Sequence, residues 1–429
     1  MRTFHTTLVT FFLGMSLLVN AQTPNDHTAV TLRARAWMDS LTSPAFHGRG
    51  YVNDGDRITS DWLAKQFARI GLAPVKKDYF QPFQFNVNSF PDSIKVSIDG
   101  KQLIPGIDFL VDPASGKADG TFELVHVSPS DLATPERKSM TMGVISGKAT
   151  CVHWPATTKS DSLSQFKQWE RDLMHYGPVL KPISGKLTWS VAQEAMPYPL
   201  IEVGGDALTD SSATVDLRVS NKLLVRRPSR NVLGTVKGKS KKWVVVGAHY
   251  DHLGRMGPDA LFPGANDNAS GTAMLLSLAE HFAQKKNQPK HNLLFVAFAG
   301  EEAGLVGSEW CAVDRPIDWS AVDLMINLDI LGTGDEGIMV VNATDQQAHF
   351  DQLVAINGAK GYLPQVKARG PACNSDHCPF VQRGIPAIFI YTLGGVAYYH
   401  DVLDKAETLP LTEFSDLYSL LSDFITTLK

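Results

Sequence analysis

The feature that most constrains the fold is a series of apolar segments alternating with helix-like segments in the second half of the chain. "KWVVVGAHYD", "HNLLFVAFAGEE", "VDLMINLDILG" and "IPAIFIYT" are almost continuously apolar and are typical of buried strands. "SGTAMLLSLAEHFAQ" and "LTEFSDLYSLLSDFITTLK" carry apolar residues at helical spacing. Strands of this kind between helices predict an α/β fold with a mostly parallel central sheet flanked by helices.

The middle of the chain has a different texture and predicts a second, smaller domain. Short segments such as "SIKVSI", "TFELVHV", "MGVISG" and "ATVDLRV" favour strands and are separated by Gly, Pro, Ser and Asp, with one helical piece, "SLSQFKQWERDLMHYG". A chain of 429 residues is long enough for two domains. We predict a small β-rich domain over residues 91–221, inserted into a discontinuous domain of residues 22–90 and 222–429.

The N-terminus is typical of an export signal. Arg2 precedes an apolar stretch from Leu8 to Val19, and Ala21 offers a small residue at a cleavage point. We therefore predict a signal peptide over residues 1–21 and an exported protein, periplasmic or secreted, with no membrane span after its removal. The net charge of −4 and the lack of a long basic run argue against nucleic acid or anionic membranes as partners.

Polar residues that suit metal binding follow several of the predicted strands and turns. In open α/β sheets, sites form at the carboxyl ends of the strands, so these loops can converge at one edge. Imidazole and carboxylate groups without thiolate suit catalytic zinc, or cobalt or manganese, and the spacing of the four cysteines is not that of a zinc–cysteine site. The candidate residues are His249, Asp251, Asp267, Glu301, Glu302, Asp329 and His400.

Residue spacing suggests separate roles within this set. If the strand remains extended, His249 and Asp251 point to the same side, so Asp251 can accept the second ring N–H of His249 and orient it. Glu301 and Glu302 are adjacent and face opposite ways, so one can bind metal while the other acts as general base. His252 either lines the pocket or is a satisfied loop histidine.

The motifs "GAHYDHLG", "GANDNASG", "AFAGEEAGLVGS", "INLDILG", "SDHCPF" and "YYHDVLD" together resemble the zinc aminopeptidases of metallopeptidase family 28. The resemblance runs from about residue 231 to the C-terminus. It implies a zinc-exopeptidase fold and two Zn²⁺ ions per chain. In this pattern Asp267 bridges the two ions, His249 and Asp329 complete one, and Glu302 and His400 complete the other.

The same resemblance implies roles for the remaining residues. Glu301 would be the general base, Asp251 would orient His249, and the peptide bond Asp267–Asn268 would be cis. The inserted segment resembles a divergent protease-associated domain. A peptide or dipeptide with a free α-amine, held near one zinc, would be the substrate of such an aminopeptidase.

The segment "SDHCPF" matches a part of the family beside the site. Asp376 and His377 are expected to be structural or pocket-lining rather than ligands. Cys373 and Cys378 are close enough in sequence to close a small loop, and the family resemblance supports that pairing. Cys311 lies in a helix-like stretch and is expected to be a buried thiol.

Two alternative functions remain open at this level. A glutaminyl cyclase-like acyltransferase shares the fold but uses a single zinc, and typically carries tryptophan where this chain has Tyr399. A non-catalytic, receptor-like binding module would be expected to have lost metal ligands. The complete set of candidate ligands favours the peptidase over both.

Overall fold

A computed structural model describes residues 26–428 of the chain. Within this range lie nine α-helices, and the predicted helices are among them. The helices are α1 (Asp26–Leu41), α2 (Gly55–Ile70), α3 (Pro135–Ile145), α4 (Ser160–Leu173), α5 (Gly271–Ala283), α6 (Val306–Asp314), α7 (Gln347–Lys360), α8 (Cys378–Val381) and α9 (Phe414–Thr427).

Nineteen strands in the same described range form three sheets. The strands are β1 (Ala73–Pro74), β2 (Phe80–Ser89), β3 (Lys95–Ile98), β4 (Lys101–Gln102), β5 (Phe109–Val111), β6 (Ala118–Val127), β7 (Ala149–Val152), β8 (Val179–Ile183), β9 (Leu200–Gly204), β10 (Thr214–Val219), β11 (Lys222–Val236), β12 (Trp243–His249), β13 (Gly254–Met256), β14 (Ala260–Phe262), β15 (Asn292–Phe298), β16 (Val322–Leu328), β17 (Ile338–Val341), β18 (Val366–Ala368) and β19 (Ala387–Thr392).

The largest sheet confirms the predicted α/β fold. Its strand order is β1-β11-β15-β12-β16-β19-β17-β18, and β2 also pairs with β11. The four central strands, β15, β12, β16 and β19, run parallel. Antiparallel pairings join β11 to β15 on one side and β17 to β19 on the other. The carboxyl ends of the central strands therefore meet at a single edge of the sheet.

Helices cover both faces of this sheet, which explains why its strands are almost continuously apolar. On one face α5, buried along most of its length, packs between the sheet and α1, α2 and α9. On the other face, Cys311 of α6 and Phe380 of α8 pack against Val245 and Leu294. Side chains on both faces of such a parallel strand are buried, so apolar residues predominate along its length.

The strands β3 to β10 form a separate eight-stranded sheet that lies within the predicted insert of residues 91–221. One expectation for this region is wrong: "MGVISG" lies largely in α3 rather than in a strand. The side chain of Thr134 caps this helix by accepting a hydrogen bond from the backbone N–H of Arg137, and Pro135 occupies its first turn. Met142 and Ile145 are buried, three residues apart on one helix face. The division of the chain into two domains remains a prediction.

The smaller sheet shares an apolar core with the hairpin β13–β14. Met256 and Phe262 of the hairpin and Phe90, which follows β2, are buried in one cluster with residues of the smaller sheet. The Trp189 ring stacks on Phe262 with their centroids 4.7 Å apart. The hairpin thus links the smaller sheet to the chain segment that follows His249.

The cysteines behave as expected: Cys373 and Cys378 form a disulfide, and Cys311 is a buried free thiol. Among residues 26–428, none of the helices combines the length and apolar character needed to cross a bilayer. The predicted signal peptide over residues 1–21 lies outside the described residues.

Candidate active site

The candidate residues converge at the carboxyl edge of the central strands. His249 is the last residue of β12, and Asp329 directly follows β16. Glu301 and Glu302 lie just beyond the end of β15, in a turn that leads to α6. Asp267 and His400 come from two further loops, one before α5 and one after β19. The buried parts of these strands are almost entirely apolar, so acidic and imidazole side chains gather at the shared edge.

Three of the predicted ligands form a first group around His249. Its Nε2 atom lies 3.3 Å from Oδ1 of Asp267 and 3.3 Å from Oδ1 of Asp329. The ligand atoms of all three side chains lie within 4.8 Å of one another. The other carboxylate oxygen of Asp329 accepts a 2.8 Å hydrogen bond from the hydroxyl of Ser375, which fixes its orientation.

A second group surrounds His400. Its Nε2 atom lies 3.2 Å from Oδ2 of Asp267 and 3.2 Å from Oε2 of Glu302. The opposite ring nitrogen, Nδ1, donates to the backbone carbonyl of Trp189 over 2.7 Å. That bond holds the ring so that Nε2 faces the two carboxylates.

Asp267 belongs to both groups, with Oδ1 facing His249 and Oδ2 facing His400. The peptide bond Asp267–Asn268 is cis, as predicted. The carboxylate of Asp404 accepts hydrogen bonds from the backbone N–H groups of Asn266 and Asp267 and anchors the turn. The turn therefore presents one carboxylate between two sets of potential ligands.

Asp251 acts differently from the prediction. Nδ1 of His249 donates to the backbone carbonyl of Asp251 over 3.1 Å, whereas the Asp251 carboxylate is 3.9 Å away. That carboxylate instead accepts hydrogen bonds from the backbone N–H groups of Glu301 and Glu302, at 3.1 and 3.3 Å, and from the hydroxyl of Tyr51. Asp251 still orients His249, but through its backbone, and its side chain holds the turn that carries the two glutamates.

Glu301 belongs to the same cluster but makes different contacts from its neighbour. A carboxylate oxygen of Glu301 lies within 4.8 Å of ligand atoms of both His249 and Glu302. Burial raises the pKa of Glu301 well above its ordinary value, and the nearby Glu302 adds to the shift. The side chain is thus suited to accept a proton.

His252, whose role the sequence left open, is fully buried inside the cluster. Its Nδ1 atom lies 2.7 Å from Oε1 of Glu302 and 4.0 Å from Oδ1 of Asp267. It therefore contacts a predicted ligand and is not a solvent-exposed loop residue. Asp376 and His377 are also buried, and His377 donates to the backbone carbonyl of Ala372.

The sequence profile of peptidase family M28 matches residues 231–425, the stretch that contributes every residue of both groups. This stretch, a little under half of the chain, is similar to peptidase family M28. The match covers the strands β12, β15, β16 and β19 and the five loops that follow or join them. It leaves out the smaller sheet.

Curated proteins with similar sequences are named as aminopeptidases. A probable leucine aminopeptidase of Arthroderma otae is 26% identical over 323 residues, which are 68% of this chain and 89% of that protein. Another probable leucine aminopeptidase of the same organism is 33% identical over 172 residues, 37% of this chain and 45% of its own length. Aminopeptidase YwaD of Bacillus subtilis is 32% identical over 217 residues, 47% of this chain. The chain spans less than half the length of that protein, 45%.

Solved structures of low sequence identity share the fold over nearly the whole chain. A peptidase M28 precursor from Shewanella amazonensis has a TM-score of 0.69 at 17% identity and covers 93% of this chain and 96% of its own. A zinc aminopeptidase from Bacillus subtilis has a TM-score of 0.66 at 19% identity, covering 92% and 94% of the two chains. These alignments cover more than 90% of this chain, and the predicted insert makes up nearly a third of it. Both alignments must therefore include residues of the smaller sheet.

The donor set of the site fits zinc. Both groups consist of imidazole nitrogen and carboxylate oxygen, which are zinc ligands, and each histidine has its outer nitrogen held by a backbone carbonyl. Burial works against the charged form of His400, yet Glu302 and Asp267 raise its pKa to about 11. For Asp251, burial disfavours the negatively charged carboxylate and raises its pKa to about 7. A cluster of buried carboxylates is stable only where cations or bound protons offset its charge, and zinc ions would supply such positive charge.

Several residues that shape the site were not identified from the sequence. Tyr51 and Asp404 hydrogen-bond to its acidic residues or their backbone, and Trp189 contacts His400 through its backbone. The buried guanidinium of Arg49 donates to the backbone carbonyls of Tyr250, Pro263 and Gly264, and so joins the loops around the site. Tyr51 and Arg49 lie in "HGRGYVNDG", far in sequence from the strand ends that indicated the site, and a backbone contact such as that of Trp189 has no sequence signal.

Proposed function

We propose that this chain belongs to peptidase family M28 and is an exported metallo-aminopeptidase that removes N-terminal residues from peptides, with two zinc ions at the strand-end site. The observation that carries the proposal is the position of Asp267. Its two carboxylate oxygens face two separate groups of ligands, 3.3 Å from His249 on one side and 3.2 Å from His400 on the other. A single carboxylate in this position is suited to bridge two ions.

The proposed ligand sets are those suggested by the sequence. Asp267 is shared, His249 and Asp329 serve one ion, and Glu302 and His400 serve the other. Bound zinc would polarise the scissile carbonyl and acidify a water molecule. The protein's part is to hold these side chains in place, which it does through Ser375 at Asp329 and through backbone carbonyls at the two histidines.

Glu301 is the proposed general base. Its backbone N–H is held by Asp251, so its position relative to His249 is fixed from the end of β12. A carboxylate whose pKa is raised by burial accepts a proton more readily near neutral pH than an exposed one. Glu301 can take the proton from water and pass it to the leaving amine.

The specificity for free N-termini is supported by the relatives, which are described as leucine aminopeptidases and aminopeptidases. The acidic surroundings of Asp267 and Glu302 are compatible with a positively charged α-amine. The discontinuous domain of residues 22–90 and 222–429 would carry out the chemistry, with residues 91–221 as an insert beside it.

The activity is tested with aminoacyl-p-nitroanilides carrying either a free or an acetylated α-amine, and with a peptide that begins with glutamine. We expect hydrolysis of the free substrates only, complete loss after chelation and recovery on addition of zinc. Cyclisation of the glutaminyl peptide without hydrolysis of the nitroanilides would indicate a cyclase. A protein that binds no zinc would indicate a non-catalytic binding module.

Export is tested separately, by determining the N-terminus of the mature protein after expression in a bacterial host with a secretion system. Cleavage after Ala21 is expected, because the small residue follows the apolar stretch at the usual distance. Retention of Met1 in a cytoplasmic fraction would contradict export and leave the enzymatic proposal standing.

A further inference from the structure

A second group of metal-binding side chains lies in the eight-stranded sheet. The parallel strands β6 and β7 pair His126 with Cys151, and His153 follows two residues later. Residues two apart on an extended chain point to the same face, and so do register partners on neighbouring strands. The register therefore directs two imidazoles and one thiol toward the same point.

The side chains meet closely at that point. Nδ1 of His126 lies 2.8 Å from Nε2 of His153, and Sγ of Cys151 lies 3.5 Å from the same Nε2 atom. All three ligand atoms are within 4.8 Å of one another. Cys151 is fully buried, whereas both histidines are half-buried.

The outer nitrogens of both rings face hydrogen-bond acceptors. Nε2 of His126 donates to the backbone carbonyl of Ser212 over 2.8 Å, and Nδ1 of His153 lies 3.4 Å from a carboxylate oxygen of Asp210. Carbonyls and carboxylates that hold the outer N–H of a histidine are typical of metal sites, because they direct the inner lone pair at the ion. Two inner lone pairs 2.8 Å apart repel each other unless a proton or a metal ion lies between them.

We propose that His126, Cys151 and His153 bind one Zn²⁺ ion, separate from the strand-end site, with a fourth position open to water. One thiolate and two imidazoles are a donor set that zinc accepts in a tetrahedral arrangement. Two nitrogens bound to one tetrahedral zinc are roughly 3.3 Å apart, so binding moves the two rings apart by about half an ångström. Cys151 gives up its thiol proton to solvent when the ion binds.

The proposed site is accessible from solvent, and its ligands come from separate segments of the smaller sheet. His153 is 30% exposed and lines a cavity of about 680 Å³, together with Trp154 and Phe166. The three ligands come from β6, from β7 and from the segment just after β7, and the outer contacts reach residues 210–212. The bound ion would thus stabilise this end of the smaller sheet rather than take part in catalysis.

The test is a cobalt titration of the full-length protein after metal removal. Co²⁺ bound to a thiolate gives an intense near-ultraviolet charge-transfer band, whereas the nitrogen and oxygen ligands of the strand-end site give only weak visible bands. Burial raises the pKa of Cys151 to about 12, so the metal-free protein contributes no thiolate absorption at neutral pH. We expect the band in the wild-type protein to saturate at the intensity of one thiolate-bound Co²⁺ per chain, and to be lost in Cys151→Ser and in His153→Gln.

Cys311→Ser is the matched control, because Cys311 is the other buried free thiol of the described residues and packs in the core beside α6. It should keep the band, and the zinc content of Cys151→Ser should be one ion per chain below that of Cys311→Ser. The absence of a thiolate band in wild-type protein saturated with Co²⁺ would overturn the proposal and leave a histidine–histidine hydrogen bond in its place. A band that persists in both Cys151→Ser and His153→Gln would also overturn it.

Discussion

At the residue scale, the adjacent residues Glu301 and Glu302 have different surroundings. Glu302 contacts both His252 and His400 through its two carboxylate oxygens, at 2.7 and 3.2 Å. Glu301 has a raised pKa and lies near His249. Glu302 is engaged by two histidines, and this difference supports the proposal that Glu301 is the general base.

The first prediction concerns Glu301→Gln. The amide keeps the size of the side chain but cannot accept the proton, so kcat should fall by about 10²–10⁴-fold while the zinc content stays at the wild-type level. Steady-state kinetics and metal analysis of the same preparation measure both quantities. Glu309→Gln, at an exposed glutamate paired with Arg383, is the control and should change neither. Most of the kcat surviving in Glu301→Gln would remove Glu301 as the base.

The positions of site residues were predictable where a residue lies at the end of a strand. The contacts of residues beyond the strand end were harder to predict. The positions of His249, Glu302 and Asp329 at one edge were predictable, because the carboxyl ends of parallel strands meet at the same edge of a sheet. The predicted contact between the Asp251 carboxylate and His249 failed because β12 ends at His249. Past that point the chain is no longer extended, so the alternation of side-chain directions no longer applies.

At the scale of elements, the loop that carries His400 is held by the inserted segment. Nζ of Lys186 donates to the backbone carbonyls of Ala397 and Tyr399, at 2.8 and 2.5 Å, and lies 3.7 Å from the carboxylate of Asp401. The backbone of Trp189 contacts His400 directly. Two residues of the insert thus determine where a predicted zinc ligand lies.

Lys186→Met tests this contact. The substitution keeps most of the apolar stem but removes three donor contacts, so the His400 loop loses its anchor. Loss of an outer contact of a metal ligand costs about 10–100-fold in metal affinity or activity. We expect a drop of that order in zinc affinity, measured by chelator competition, and in kcat/KM. Lys117→Met, an exposed lysine of the same segment, should match the wild type; equal behaviour of both variants would show that the loop needs no anchor.

Strands and helices with a clear apolar pattern were predictable from the sequence. A helix whose start depends on a capping residue, such as α3, was not. The buried strands and the helices α5 and α9 follow from apolar patterning alone. The helix α3 was missed because its last residues, "MGVI", are apolar and contain a β-branched pair of residues, which favours a strand. Its Thr134 cap and Pro135 start outweigh this local preference. Which strands pair, and the register of His126 with Cys151, depends on long-range contacts that no local pattern encodes.

At the scale of the whole molecule, the smaller sheet and the catalytic edge share a core. Phe262 and Met256 belong to the hairpin that follows His249, yet they are buried among residues of the smaller sheet such as Phe109 and Ile201. Asn88, at the end of β2, donates to the backbone carbonyls of residues in the insert. A body joined in this way is expected to lose its two sheets together rather than one after the other.

Phe262→Ala tests that coupling. Removing a fully buried ring that stacks on Trp189 should lower the free energy of unfolding by about 3–5 kcal/mol. Because the cavity opens between the two parts, urea-dependent hydrogen exchange should show a lower midpoint for peptides of β12 and β15 as well as for peptides of β5 and β9. Leu163→Ala, at an exposed position of α4, should stay within about 0.5 kcal/mol of the wild type. A lower midpoint in the β5 and β9 peptides alone would show that the insert unfolds independently. In that case the catalytic domain is stable without the insert, and the two sheets are not coupled.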